Sequence, residues 1–236
     1  MNTYFMTAIA PHYWKKKKNA WPSFLKRDLY LVKTPGWLKM LYSGCEWDIH
    51  GAEKTLYLTF DDGPHPVVTP FILSQLAAYN AKATFFCIGD NVKKYPKEYQ
   101  QILDAGHITG NHTMHHVNGW KHTDDAYIAD INEAAAWIGG DLFRPPYGRI
   151  KRSQIKKLKQ EDPGCRIIMW NILAGDWEQQ LSPEKCLRQV IRKTKDGDIV
   201  VFHDSEKAWP RVQFALPELL RYFSEKGYRF SVIPPK

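Results

Sequence analysis

Leu56-Tyr57-Leu58-Thr59-Phe60-Asp61-Asp62-Gly63-Pro64 runs from an apolar, aromatic stretch into two adjacent carboxylates and a turn. Residues 56–60 read as a strand, because a short uninterrupted run of this type suits a parallel sheet covered on both faces. Asp61 and Asp62 then fall at its C-terminal end, where burying both carboxylates unpaired would cost several kcal/mol. A cation there would resolve the conflict. Gly63-Pro64 turns the chain sharply, so the two side chains can leave one corner in different directions. Taken alone, the segment also reads as a turn or helix N-cap with solvated aspartates.

From this strand onward, short apolar and β-branched runs alternate with stretches of helical period. Strands are predicted at 56–60, 83–89, 107–111, 142–146, 165–171, 198–203 and 228–233, and helices at 67–80, 91–105, 124–139, 151–161, 182–195 and 212–226. Repeated βα units of this kind predict an α/β fold built on a closed or nearly closed parallel barrel. Ser182-Pro183 reads as an N-cap followed by proline at the first helical position. Gly106 and Gly227 sit where glycine ends a helix, and Asp196-Gly197-Asp198 makes a tight turn into an apolar run.

Polar residues collect just after the C-terminal ends of these predicted strands. Asp61 and Asp62 follow the first, His112 and His116 the third, Arg144 and Tyr147 the fourth, Asp176 and Trp177 the fifth, and His203 closes the sixth. In parallel barrels catalytic groups converge on that face. His112-Thr113-Met114-His115-His116 offers imidazoles at spacings of three and four, and one helical turn would bring either pair onto a common face. Two histidines and a carboxylate make a three-ligand set for a divalent metal with a position left open. Spacing alone does not separate His115 from His116.

The 236 residues, 44% of them hydrophobic and 14% aromatic, suffice for one catalytic domain with a full core. Cys45, Cys87, Cys165 and Cys186 form no CxxC pair and read as free thiols. Residues 1–50 hold eight Lys/Arg against three Asp/Glu, so this segment's +5 supplies most of the chain's formal +8. We read 1–50 as a basic N-terminal extension and lead-in, and 51–236 as the catalytic domain. Its Lys15–Lys18 run is interleaved with Trp14, Trp21, Phe24, Leu25 and Leu29, a mixture compatible with weak contact to an anionic membrane surface. The apolar stretch Ala8–Ala10 precedes the lysines and does not read as a signal peptide, and no run reaches transmembrane length. A cytoplasmic or membrane-peripheral location is the expectation. Nucleic acid is not expected as a partner, since the basic excess is confined to one end.

Residues 54–235 resemble the polysaccharide deacetylase family, whose catalytic region is the NodB homology domain. The resemblance rests on several motifs in the family's order: Thr59-Phe60-Asp61-Asp62-Gly63-Pro64, His112-Thr113-x-x-His116, Arg144-Pro145-Pro146-Tyr147-Gly148, Asp176-Trp177 and Val201-Phe202-His203. It implies a distorted, TIM-like (β/α)7 barrel of NodB type and a metal-dependent hydrolase that removes acetyl groups from an N-acetylated sugar. It also implies roles. Asp62, His112 and His116 would hold the metal, zinc first and cobalt or nickel as alternatives. Asp61 would be the base, Arg144 its support, His203 the general acid and Asp176 the residue that orients it. The backbone N–H of Tyr147 would face the oxyanion, Trp177 would wall the groove and Val201 would line the acetyl-methyl pocket. Leu173 departs from the pattern, standing where the family's fourth motif begins with aspartate. An O-acetyl-carbohydrate esterase and a carbohydrate-binding pseudoenzyme are the competing readings, and an acetylated glycan is the expected partner. His65, His107, His115 and His122 read as structural or solvated, and Trp120, Trp170 and Trp209 as core or sugar-stacking surface.

Overall fold

The computed structural model describes residues 30–51 and 53–235; the lysine run and the aromatic residues around it lie outside them. Eight strands form one sheet: β1 (Thr55–Asp61), β2 (Thr84–Cys87), β3 (Ile108–Asn111), β4 (Leu142–Phe143), β5 (Arg166–Ile167), β6 (Ile172–Leu173), β7 (Ile199–His203) and β8 (Arg229–Phe230). The helices are α1 (Gly36–Leu41), α2 (Val68–Ala78), α3 (Gly89–Lys94), α4 (Pro96–Asp104), α5 (Asp124–Ala135), α6 (Arg152–Glu161), α7 (Pro183–Lys193) and α8 (Trp209–Glu225). The strand order is β5-β4-β3-β2-β1-β7-β6, every ladder is parallel, and β8 pairs with the start of β1. This is a curled parallel sheet, a distorted barrel whose two ends, β5 and β6, are consecutive in the chain. No helix among the described residues is long and apolar enough to cross a membrane.

β1 is buried along its whole length, as its unbroken apolar run requires. Thr59 pairs with Thr84 and Val201, and Asp61 with Phe86 and His203, so these side chains share the inner face of the sheet. Beneath them Tyr57, Phe86, Leu142, Ile168, Ile199 and Ile233 fill the interior. A second core, including Tyr127, Ile131, Phe143, Leu158 and Ile167, lies under α5 and α6. Gly110 makes room for the interior: a Cβ there would sit 2.6 Å from the Phe86 ring and 3.1 Å from Leu142 Cβ.

Residues 33–48 add bridges outside the named strands, pairing Lys33 with Ile172, Glu46 with Ile168 and Asp48 with Asp198. Caps and turns follow the sequence reading. Ser182 accepts from the Lys185 N–H, and Gly106 and Gly227 take left-handed φ values of 72° and 78°.

Several elements differ from the sequence expectation, among them α1, which was not expected, and the strand expected at 228–233, which is confined to Arg229–Phe230. The helix expected over 91–105 breaks at Tyr95 because Pro96 opens α4, and a residue before proline is driven out of the helical region. The strand expected at 142–146 stops at Phe143, since Pro145 and Pro146 have no N–H to give a ladder. The expected strand 165–171 keeps a ladder only at β5, because the carbonyls of Ile168 and Met169 turn to a guanidinium instead, and an unexpected strand, β6, begins just past its end at Ile172. The last helix begins at Trp209, three residues before its expected start at 212.

Candidate active site

Arg144 is fully buried, and its surroundings meet it almost donor by donor. Nη1 donates to Asp61 Oδ1 and Thr59 Oγ1, both at 2.7 Å, Nε to Ile168 O at 3.1 Å and Nη2 to Met169 O at 2.9 Å. The guanidinium also lies over the Phe86 ring, 4.0 Å from its centroid. Burial works against its charge and moves its pKa down, opposed by Asp61. The result is a rigid Asp61 carboxylate with one oxygen tied to Arg144.

Asp62 follows with a left-handed φ of 82°, which turns its side chain away from that of Asp61. Its Oδ1 lies 3.2 Å from His116 Nε2 and 3.8 Å from His112 Nε2. Burial raises the Asp62 pKa, but His116 beside it and the imidazoles of His203 and His112 outweigh it and hold the carboxyl below the usual carboxylate range. His112 Nδ1 lies 2.7 Å from the Arg144 carbonyl, an arrangement that makes Nδ1 the donor and leaves Nε2 with a lone pair. Burial pushes the His112 pKa down to about 4, so this imidazole is neutral.

These three donors fit a divalent cation. Their ligand atoms lie within 4.8 Å of one another, and Asp62 Oδ1 is a buried acceptor with no satisfactory hydrogen bond. The histidines do not meet through a helical turn, as their spacing suggested. Residues 112–116 form an irregular loop with left-handed Thr113 (φ 65°) and His116 (φ 54°). Asn111 Oδ1 accepts from the Thr113 N–H, and Asp130 Oδ2 accepts from those of Met114 and His115. The His115 ring turns to Asp130, with its Nδ1 2.5 Å from Oδ1, and so leaves His116 as the partner of His112.

Opposite the carboxylates, His203 Nδ1 lies 2.8 Å from Asp176 Oδ1, and the His203 backbone N–H donates to Oδ2 of the same residue at 2.7 Å. Burial works against the imidazolium, but Asp176, joined by Asp62 and Asp61, pushes the His203 pKa up to about 9. Trp177 packs edge-on to His203 with ring centroids 4.8 Å apart. Val201 lies fully buried one inward position below His203. Tyr147 is left-handed at φ 60°, is 60% exposed, and sets its ring 4.6 Å from that of His116. The ten residues singled out from the sequence therefore lie at one end of the sheet, with Arg144, Asp176 and Val201 fully buried among them.

The family described as Polysaccharide deacetylase matches residues 48–162. A peptidoglycan-N-acetylglucosamine deacetylase of Bacillus cereus is 34% identical over 192 residues, which are 79% of this chain and 90% of that protein. The chain belongs to the polysaccharide deacetylase family. Among solved structures, the Bc1960 peptidoglycan N-acetylglucosamine deacetylase in complex with a hydroxamate-type benzamide superposes with a TM-score of 0.77 at 29% identity, covering 85% of this chain and 95% of that one. BA3943 of Bacillus anthracis, a CE4 family pseudoenzyme, superposes with a TM-score of 0.70 at 27% identity over 79% of this chain and 66% of that one.

At the position where the family motif has aspartate, this polysaccharide deacetylase chain puts Leu173 into the ladder. It pairs with Val201, and its N–H donates to Val32 O at 2.9 Å. Two supporting residues escaped the sequence reading. Asn91 Nδ2 donates to the Asp62 carbonyl at 2.7 Å and fixes the carboxylate loop; nothing in its neighbourhood in sequence marks it. Asp204 is buried behind Gly63, where a Cβ would collide with its carboxylate, and accepts from Thr69 Oγ1. Burial pushes its pKa up to about 8. Its place next to His203 after an apolar run was the available signal. Three of the histidines set aside in the sequence bond locally: His65 Nδ1 accepts from Val67 and Val68, His107 Nδ1 from Ala83, and His122 Nδ1 meets the Asn118 carbonyl.

Proposed function

We propose that this protein hydrolyses N-acetyl groups of an amino-sugar glycan to acetate and free amine, using one divalent cation held by Asp62, His112 and His116. The observation that carries the reading is the convergence of two imidazole Nε2 atoms on the unpartnered Asp62 Oδ1, between an Arg144-bound carboxylate and an Asp176-bound histidine. When bound, the cation supplies Lewis-acid polarisation of the acetyl carbonyl and lowers the pKa of water; zinc suits the donors best, and cobalt or nickel would also be accepted.

Asp61, oriented by Arg144, takes the proton of the attacking water as the new C–O bond forms. The Tyr147 N–H donates to the carbonyl oxygen as it gains negative charge. His203, protonated through Asp176, gives its proton to the sugar nitrogen as the C–N bond breaks. Val201 bounds the methyl end of the acetyl group, and Trp177 walls the groove beside His203.

The test is mass spectrometry of a panel of N- and O-acetylated glycans incubated with cation-loaded protein. Loss of single acetyl groups from N-acetylated sugars, with free amine appearing, is the expected result. Loss confined to O-acetylated glycans would reassign the protein as an esterase. Glycan binding without any turnover at full cation occupancy would make it a binding protein.

A further inference from the structure

Of the three tryptophans that the sequence left between core and sugar-stacking surface, two are packed. Trp170 contacts both cores, and Trp209 sets its ring edge-on to Phe71 at 4.9 Å. Trp120 is 55% exposed and is held in place all the same. It sits in the single 3-10 turn Gly119–Lys121, four residues beyond His116. Its backbone N–H donates to Asn118 Oδ1 at 3.0 Å, and its indole Nε1 donates to Ile150 O at 3.3 Å. Gly119 N donates to Arg149 O at 3.2 Å, while the fully buried Gln154 donates to Gly119 O at 2.8 Å. An exposed indole fixed at both ring edge and backbone is already ordered for binding and loses little entropy when a ligand covers it.

Arg149 completes the feature. Its guanidinium lies over the Trp120 ring, 5.2 Å from the centroid. Arg149 is exposed, and it takes part in none of the ion pairs among the described residues. Two residues earlier in the chain, Tyr147 stands against His116. Along the chain, Trp120 follows the candidate ligand His116 by four residues and Arg149 follows Tyr147 by two. The pair offers an apolar aromatic surface beside a planar cation that joins no ion pair among the described residues. The C–H face of a pyranose ring suits the first, and a carboxylate, which guanidinium can bind through two parallel hydrogen bonds, suits the second.

We propose that Trp120 and Arg149 form a second sugar subsite that takes a carboxylate-bearing sugar next to the N-acetyl sugar being hydrolysed. The inference rests on the deacetylase reading of the adjoining site and names its substrate class: an acidic glycan chain in preference to a neutral one.

The test compares two tetrasaccharides with cation-loaded protein: N-acetylchitotetraose, which is neutral, and a peptidoglycan tetrasaccharide whose alternate sugars carry a free lactyl carboxylate. Arg149→Gln should raise KM for the acidic tetrasaccharide about tenfold and change KM for the neutral one less than about twofold, with kcat for the acidic substrate little altered. Trp120→Ala should raise KM for both. Methyl-esterifying the lactyl groups should reproduce the Arg149→Gln effect on the wild-type protein. Thermal melting of each variant checks folding. Equal KM changes on the two substrates, or a fall in kcat alone, would overturn the subsite. If the wild-type protein turned over neither tetrasaccharide, the deacetylase reading would fail. Calorimetric titration of both sugars into cation-loaded protein would then decide the subsite by itself: a preference for the acidic sugar that disappears in Arg149→Gln supports it, and no preference rejects it.

Discussion

At the scale of single residues, two neighbouring carboxylates of one residue type face different partners. Asp61 points to Arg144, and Asp62 to two imidazoles. Asp61→Asn should therefore keep its cation and lose about 10²–10⁴ of its turnover, whereas His116→Ala should lose the cation itself. Elemental analysis alongside rate measurement checks both, and an Asp61→Asn protein of near-normal rate would remove the assignment of the base. His203 allows a test by pH. Its pKa is raised from 6.5 to about 9, so its contribution to stability is complete below about 6.5 and is lost as pH rises through about 9. As a general acid it should give kcat/KM for an N-acetyl sugar a falling limb at the same alkaline end, moved to lower pH by Asp176→Asn. An activated aryl acetate hydrolysed at the same site, whose phenolate leaves without a proton, should show no such limb. An identical limb on both substrates would mean that His203 shapes the site without donating a proton.

At the scale of elements, the strands position the site through what their inner faces leave out. β3 contributes Gly110, and the space it leaves is filled by the Phe86 ring on which the Arg144 guanidinium rests. Gly110→Ala should force that ring aside and cost about 1–3 kcal/mol in stability, with a fall in turnover because the support of Arg144 shifts with it. Urea unfolding and steady-state rates measure the two effects. An unaltered unfolding midpoint would show that the ring can move away freely. The early end of the expected strand 165–171 has the same origin, since Ile168 and Met169 spend their carbonyls on Arg144.

At the scale of the whole molecule, the four cysteines are free and buried. Burial pushes the thiols of Cys45 and Cys165 up to about 12, so neither is a ready thiolate at neutral pH. A thiol reagent should accordingly find almost nothing in the folded protein and four thiols after denaturation, and dithiothreitol should leave the melting temperature unchanged. Rapid labelling of the native protein would show that the sheet opens far more easily than its packing implies.

The sequence by itself determined the alternation of strands and helices, the end of the sheet where the candidate residues collect, and which residues those are. Those features are carried by local pattern: apolar runs, caps such as Ser182-Pro183, and polar residues at strand ends. It did not determine how His112 and His116 meet, because that depends on left-handed turns at Thr113 and His116 held by Asn111 and Asp130 from elsewhere in the fold. Nor could it place Asn91 and Asp204 behind the Asp62 loop, or show that Trp120 is exposed while Trp170 is packed. Spacing along the chain fixes which residues are near neighbours in an element. Which side chain reaches which atom across elements is decided only when the β-strands are brought into register and the loops at their ends are tied down by partners distant in sequence.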